Sequence, residues 1–269
     1  MPYKTIQFFA DEDIGIVKLN RPERMNAVVE EMYQEIQLVL DETRESKGIR
    51  ALIITGSVLR KDGVEKQAFC AGADLKKHGA GDRTRAQKKD YIRLAHKTTQ
   101  NIYEFPKPTI AAVNGPARGA GSEMALNCDF LFIAETASIA FPEIGLATFI
   151  GGGVTRHLPQ LVGMARAKEL IYSGRVLDGR EAVEMALALR CFPVGSLLEE
   201  AKVFAHTLAE KGPTAMAFAK KRLQESFSMD LTSVLDLETE AIVSCMDTED
   251  WHEGVAAFNE KRKPVYKGK

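Results

Sequence analysis

At 269 residues with 45% apolar side chains, the chain is long enough to bury one large core, or a core with a smaller appendage. A formal net charge of −1 gives no overall electrostatic reason to bind nucleic acid or an anionic membrane, and no apolar run approaches the roughly 18 residues of a membrane span. Met1-Pro2-Tyr3-Lys4 lacks the pattern of a secretory or transit peptide, and Cys70, Cys128, Cys191 and Cys245 lie far apart without metal-type spacing, which points to reduced thiols in a cytoplasmic protein.

Residues 14–20 read as a strand that ends in the Arg21-Pro22 turn. Met32, Ile36, Val39 and Thr43 recur at helical spacing, and Ala51-Leu52-Ile53-Ile54-Thr55 is a continuous apolar run suited to a buried strand. Residues 57–67 are mostly polar, contain Asp62-Gly63 and read as a surface excursion. Tyr91, Leu94, Ala95, Thr98, Ile102 and Phe105 trace a second amphipathic helix, and residues 109–113 and 130–133 are again strand-like. Strands separated by helices favour parallel units with crossovers over hairpins. After residues 188–192 the pattern is nearly all helical. Asp178-Gly179 opens one helix, and Pro213 sits where a first-turn proline is tolerated in another.

Two runs carry the chemistry: Ala68-Phe69-Cys70-Ala71-Gly72-Ala73-Asp74-Leu75 and Asn114-Gly115-Pro116-Ala117-Arg118-Gly119-Ala120-Gly121-Ser122-Glu123. Small residues let a backbone N–H approach a ligand with no side chain in the way. The second run leads into Met124-Ala125-Leu126, which reads as the start of a buried helix, whose N-terminal N–H groups suit a developing oxyanion. Glu123 would then stand just inside that helix.

With Leu19-Asn20-Arg21-Pro22, Met25-Asn26-Ala27, Asn127-Cys128-Asp129, Phe141-Pro142-Glu143-Ile144-Gly145-Leu146 and Phe258-Asn259-Glu260-Lys261-Arg262-Lys263-Pro264, these runs resemble the crotonase, or enoyl-CoA hydratase/isomerase, superfamily in order and spacing over nearly the whole chain. The resemblance implies a spiral of ββα units over residues 1–195 and a helical region over 196–269 that builds trimers or stacked trimers. It implies oxyanion donors at the N–H groups of Ala73 and Ala120, and paired catalytic acids at Glu123 and Glu143. It also implies coenzyme A lying along Arg21, Arg24, Met25, Ala27 and Ala71, with Phe258 and Lys261 reaching the CoA of a neighbouring subunit. CoA arrives as part of the substrate, so no separate cofactor and no metal is expected.

Hydration of an α,β-unsaturated thioester is the activity so implied. The carbonyl oxygen must accept charge, one group must take a proton from water, and another must give one to the α-carbon. An enoyl isomerase or a thioester hydrolase could use the same oxyanion hole, but an isomerase can work with one carboxylate, so two favour hydration. The chain departs from the family's pattern at three places, of which the last bears on the acyl group. Residues 57–67 are longer than their usual counterpart, Ala120 replaces a frequent glycine, and Ala147-Thr148-Phe149-Ile150-Gly151-Gly152-Gly153 stands where hydratases of short straight-chain substrates commonly carry Pro-Gly. Phe149 and Ile150 either reshape the acyl pocket for a branched or cyclic group or pack in the core. Lys76, Lys77, Arg83, Arg85, Lys88, Lys89, Arg93 and Lys97 face only Asp82 and Asp90 between them. Some crotonase relatives bind RNA through such a helix, yet apart from Tyr91, which falls on the apolar face, no aromatic residue is interleaved for stacking, so a solvated helix, or one near the CoA phosphates, is the better reading. The histidines (His78, His96, His157, His206, His252) lack metal-like spacing and read as surface or core residues.

Overall fold

Branched apolar runs and amphipathic segments alternate along most of the chain, and in the computed structural model they become strands and their covering helices. Residues 3–78 and 83–269 are described; Met1-Pro2 and residues 79–82, including Asp82 of the basic run, lie outside them. β1 (Ile6–Asp11) and β2 (Ile14–Leu19) form an antiparallel hairpin, where the crossover pattern favoured only parallel units. β1 is mostly exposed or half-buried and so lacks the apolar density that marks the inner strands. α1 (Glu30–Arg44) buries Met32, Tyr33, Ile36, Val39, Leu40 and Thr43 along one stripe and leads into β3 (Ala51–Gly56). The polar excursion is an exposed hairpin of β4 (Leu59–Lys61) and β5 (Val64–Lys66), turned by Asp62 and Gly63 with φ of 51° and 74°.

α2 (Leu75–His78) is short; α3 (Arg85–Tyr103) begins at a capping box in which Thr84 and Gln87 exchange hydrogen bonds. β6 (Thr109–Val113), β7 (Ala117–Arg118), α4 (Ala120–Leu126), β8 (Phe130–Ala134) and β9 (Ser138–Ala140) follow, then a 3₁₀ turn over Glu143–Leu146. α5 (Val154–Val162), α6 (Met164–Ser173), β10 (Leu177–Asp178), α7 (Gly179–Glu184) and β11 (Arg190–Phe192) complete the α/β part. The Asp178 carboxylate caps α7 by accepting from the N–H groups of Arg180 and Glu181. α8 (Leu197–Ala209), α9 (Pro213–Ser226), α10 (Leu231–Met246) and α11 (Glu249–Glu260) are the helical end, with Pro213 in the first turn of α9.

The large sheet runs β1-β2-β3-β6-β8-β11, parallel from β2 onward. Every residue of β3 and β6 is buried, so both faces of the sheet are covered. α8 packs on β2, β3, β6, β8 and β11 through Leu197, Ala201, Ala205 and Ala209. The division at residue 196 thus falls at the start of a helix that completes the core. A second sheet, β10-β9-β7, positions the site, because single-residue bridges extend its strand order to the loops: Cys70 pairs with Ala117, and Val28 with Ala73.

Candidate active site

The Cys70–Asp74 segment is clamped on both sides by main-chain hydrogen bonds. Cys70 N–H donates to Pro116 (3.1 Å) and its carbonyl accepts from Arg118 N–H (2.9 Å). On the other side Ala71 N–H donates to Met25 (3.0 Å), the Gly72 carbonyl accepts from Val28 N–H (2.8 Å), and Asp74 N–H donates to Val28 (2.9 Å). This pattern leaves the Ala73 N–H without an acceptor among the described residues, as is the N–H of Ala120, the first residue of α4. The two loops abut: a Cβ built on Gly72 would lie 3.8 Å from the Ala120 nitrogen, and one on Gly121 would collide with the Cys70 carbonyl oxygen.

Asn26 anchors the neighbouring segment. Its amide donates to the carbonyls of Ser57 (3.0 Å) and Ala68 (2.8 Å), and its oxygen accepts from Arg21 N–H (3.0 Å). Arg21 ion-pairs with Asp74 at 2.9 Å and donates to the Ala27 carbonyl, which ties this segment to the loop carrying Ala73. Arg21, Met25, Ala27 and Ala71 are thereby gathered beside Ala73, with Arg24 exposed at the end of a 3₁₀ turn over Pro22–Arg24. Phe258 and Lys261 belong to the end of α11 instead, where Phe258 is 84% exposed and borders a cavity of about 390 Å³ with Trp251 and Tyr266.

Both glutamates are buried, each 8% exposed. Glu123 Oε1 accepts from Gly151 N–H at 2.9 Å. The Gly151-Gly152 backbone lies directly on this side chain: a Cβ on Gly151 would be 3.2 Å from Oε1, and one on Gly152, where φ is +59°, 2.6 Å from the Glu123 Cβ. Asn127 fixes that contact, donating to the carbonyls of Gly152 (2.6 Å) and Glu123 (2.7 Å). Glu143 opens its 3₁₀ turn with Oε1 2.9 Å from the Cβ position of Gly119, the residue before Ala120, while its Oε2 has no partner among the described residues. Burial raises the Glu123 carboxyl above its ordinary value, opposed by the Gly151 N–H. Burial, with the Glu123 charge adding, pushes Glu143 up to about 6.

The raised Glu143 sets a stability prediction. A carboxyl whose folded pKa exceeds its unfolded value costs stability where it is ionised; the cost is absent below about 4.5 and complete above about 6. Glu143→Gln should therefore be more stable than wild type above pH 6, by about 1 kcal/mol after solvent screening, with the difference vanishing below about pH 4. Melting temperatures across this range check the sign.

The sequence assigned no role to Gly151, Gly152, Asn127 or Asn26. The triple glycine was the available signal, but its use as a seat for a carboxylate depends on an approach between segments 28 residues apart. Phe149 is not core packing: it is 73% exposed, whereas Ile150 is buried. Among the described residues no group of three or more His, Cys, Asp or Glu side chains could hold a metal ion.

Two carboxylates and two open N–H groups thus line one region, on a sheet-and-loop frame shared with known proteins. Residues 10–269 match the sequence profile of the family described as Enoyl-CoA hydratase/isomerase. The chain is 34% identical to the crotonyl-CoA hydratase of Syntrophomonas wolfei, covering 98% of each chain. It superposes on an enoyl-CoA hydratase from Bacillus anthracis with a TM-score of 0.91 at 37% identity, covering 99% of this chain and 100% of that one. An enoyl-CoA hydratase from Polaromonas sp. gives 0.90 at 29% identity, over 97% and 99%. The fold is the crotonase fold, and the chain belongs to the enoyl-CoA hydratase/isomerase family.

Proposed function

We infer that this protein hydrates an α,β-unsaturated acyl-CoA thioester. The observation that carries this reading is the pair of buried carboxylates, Glu123 and Glu143, on segments that flank the open N–H groups of Ala73 and Ala120. Those two N–H groups hold the thioester oxygen as it gains negative charge. The Gly151 N–H favours the ionised form of Glu123, which takes a proton from water as its oxygen bonds to the β-carbon. Glu143, raised to about 6 with an unpaired Oε2, delivers a proton to the α-carbon. The sum is addition of one water across the double bond, and proton exchange with solvent resets both carboxyls. Arg24, Met25, Ala27 and Ala71 run beside the CoA, and Arg21 serves it by holding this segment to Asp74. No cofactor is required beyond the CoA that the substrate carries.

A panel of straight, branched and alicyclic enoyl-CoA thioesters, followed by loss of the conjugated absorbance, tests this. Hydration of at least one is expected. Double-bond migration or thioester hydrolysis without hydration would overturn it in favour of the isomerase or hydrolase reading.

A homotrimer, alone or stacked into a hexamer, accounts for the helical end. Leu231, Leu235, Ile242, Val243 and Phe258 are all exposed on α10 and α11, more apolar surface than a solvated tail carries at roughly 25 cal/mol per Å². Deleting residues 251–269 should weaken the trimer and CoA-ligand affinity together, because Phe258 and Lys261 would meet a neighbour's CoA. Sedimentation and calorimetry check this, and a truncated trimer of unaltered affinity would refute it. The basic run of α3 is better read as a solvated helix than as an RNA-binding one, since Tyr91, the aromatic residue within it, is buried and cannot stack on a base. Four free cysteines fit a reducing compartment, the cytoplasm, and no helix of the described residues is long and apolar enough to cross a membrane.

A further inference from the structure

α3 turns Tyr91, Ala95, Thr98, Thr99 and Ile102 inward, and the residues between them include two exposed side chains one turn apart, Ile92 and His96. The His96 Nε2 comes within 3.0 Å of the point where a Gly151 Cβ would be, and the same point is 3.2 Å from Glu123 Oε1. Only a residue without a side chain therefore separates the imidazole from the carboxylate that Gly151 N–H holds. The His96 ring has no hydrogen-bond or ion-pair partner among the described residues. Its position is thus explained neither by packing in the core nor by a role in the fold.

We propose that His96 is the polar contact for the far end of the acyl group, selecting an enoyl-CoA whose acyl chain ends in a carboxylate over an alkyl chain of equal carbon number. This rests on the hydratase reading for its direction. With the thioester oxygen at Ala73 and Ala120, and the double bond between Glu143 beside Gly119 and Glu123 beside Gly151, the chain beyond the β-carbon continues past Gly151 to His96. Exposed Ile92 and Phe149, the latter two residues before Gly151, offer apolar surface for its methylenes. An imidazole N–H then donates to the terminal oxygen, a hydrogen bond that the carboxylate's charge strengthens. Glu123 opposes an incoming anion. Lys88, Lys89, Arg93 and Lys97 on the same helix oppose Glu123, and the helix's acid, Asp90, is already 3.7 Å from Arg93.

The test compares binding of two saturated six-carbon thioesters, adipyl-CoA and hexanoyl-CoA, by calorimetry, so that the CoA contribution is common to both. Wild type should bind adipyl-CoA about tenfold tighter. In His96→Phe the ratio of the two Kd values should fall to about one, and in His96→Lys it should stay above about fivefold because the donor is retained. A wild-type ratio of one or below, or a preference that survives in His96→Phe, overturns the proposal. The corresponding trans-2-enoyl pair should show the same order in kcat/KM. A protein that prefers adipyl-CoA through His96 yet hydrates no member of the enoyl-CoA panel would uphold this contact while sinking the hydratase reading.

Discussion

Glu123→Gln and Glu143→Gln are each expected to lower kcat by about 10²–10⁴ with the fold and CoA affinity nearly unchanged. The amide oxygen of a glutamine at position 123 still accepts from Gly151 N–H, so the seat formed with Asn127 stays intact while the base is lost. At position 143 the substitution removes a desolvated acid whose Oε2 has no partner, so activity falls although stability rises. The two losses should not add in the double variant, because both groups serve the same addition, one at the attacking water and the other at the α-carbon. Wild-type kcat should also decline as pH rises well above about 6, where Glu143 no longer carries the proton it delivers. Steady-state kinetics on whichever enoyl-CoA the panel identifies, with melting curves alongside, check all of this. Unchanged turnover in either single variant would remove that residue from the mechanism.

Gly121→Ala is the second large effect. An added Cβ at this position meets the Cys70 carbonyl oxygen, a main-chain atom already fixed by Arg118 N–H at 2.9 Å. The two loops must therefore separate, and with them the Ala73 and Ala120 N–H groups. Displacing one oxyanion donor costs about 10²–10³ in kcat, and the overpacking costs roughly 1–3 kcal/mol of stability. Gly195→Ala is the control, since a Cβ there meets nothing within 4 Å. A Gly121→Ala enzyme with wild-type kcat would show that the spacing of these loops does not matter to the reaction.

The inner strands and the first two long helices were legible because local pattern and burial agree. Ala51-Leu52-Ile53-Ile54-Thr55 is buried on both faces, and the stripe Met32, Ile36, Val39, Thr43 is the face α1 buries. β1 escaped because an edge strand half open to solvent carries no continuous apolar run. The hairpin at residues 59–66 was readable only as polar surface. Its Asp62-Gly63 turn was visible, but its strands are three residues each and almost wholly exposed.

For the site, residue chemistry and family resemblance in the chain alone pointed to the carboxylates, the small-residue loops and the segment from Arg21 to Ala27. Tertiary structure decided what each of them touches. β7, β9 and β10 are two or three residues long, too short for any period, yet they bring Cys70 to Ala117 and so bring the two loops together. Gly151 under Glu123, Gly119 against Glu143 and His96 beyond Gly151 are contacts between segments distant in sequence. Composition and spacing encode what a segment prefers to be; which backbone N–H faces a carboxylate, and what that carboxylate's burial does to its proton, depends on packing that exists only in the folded chain.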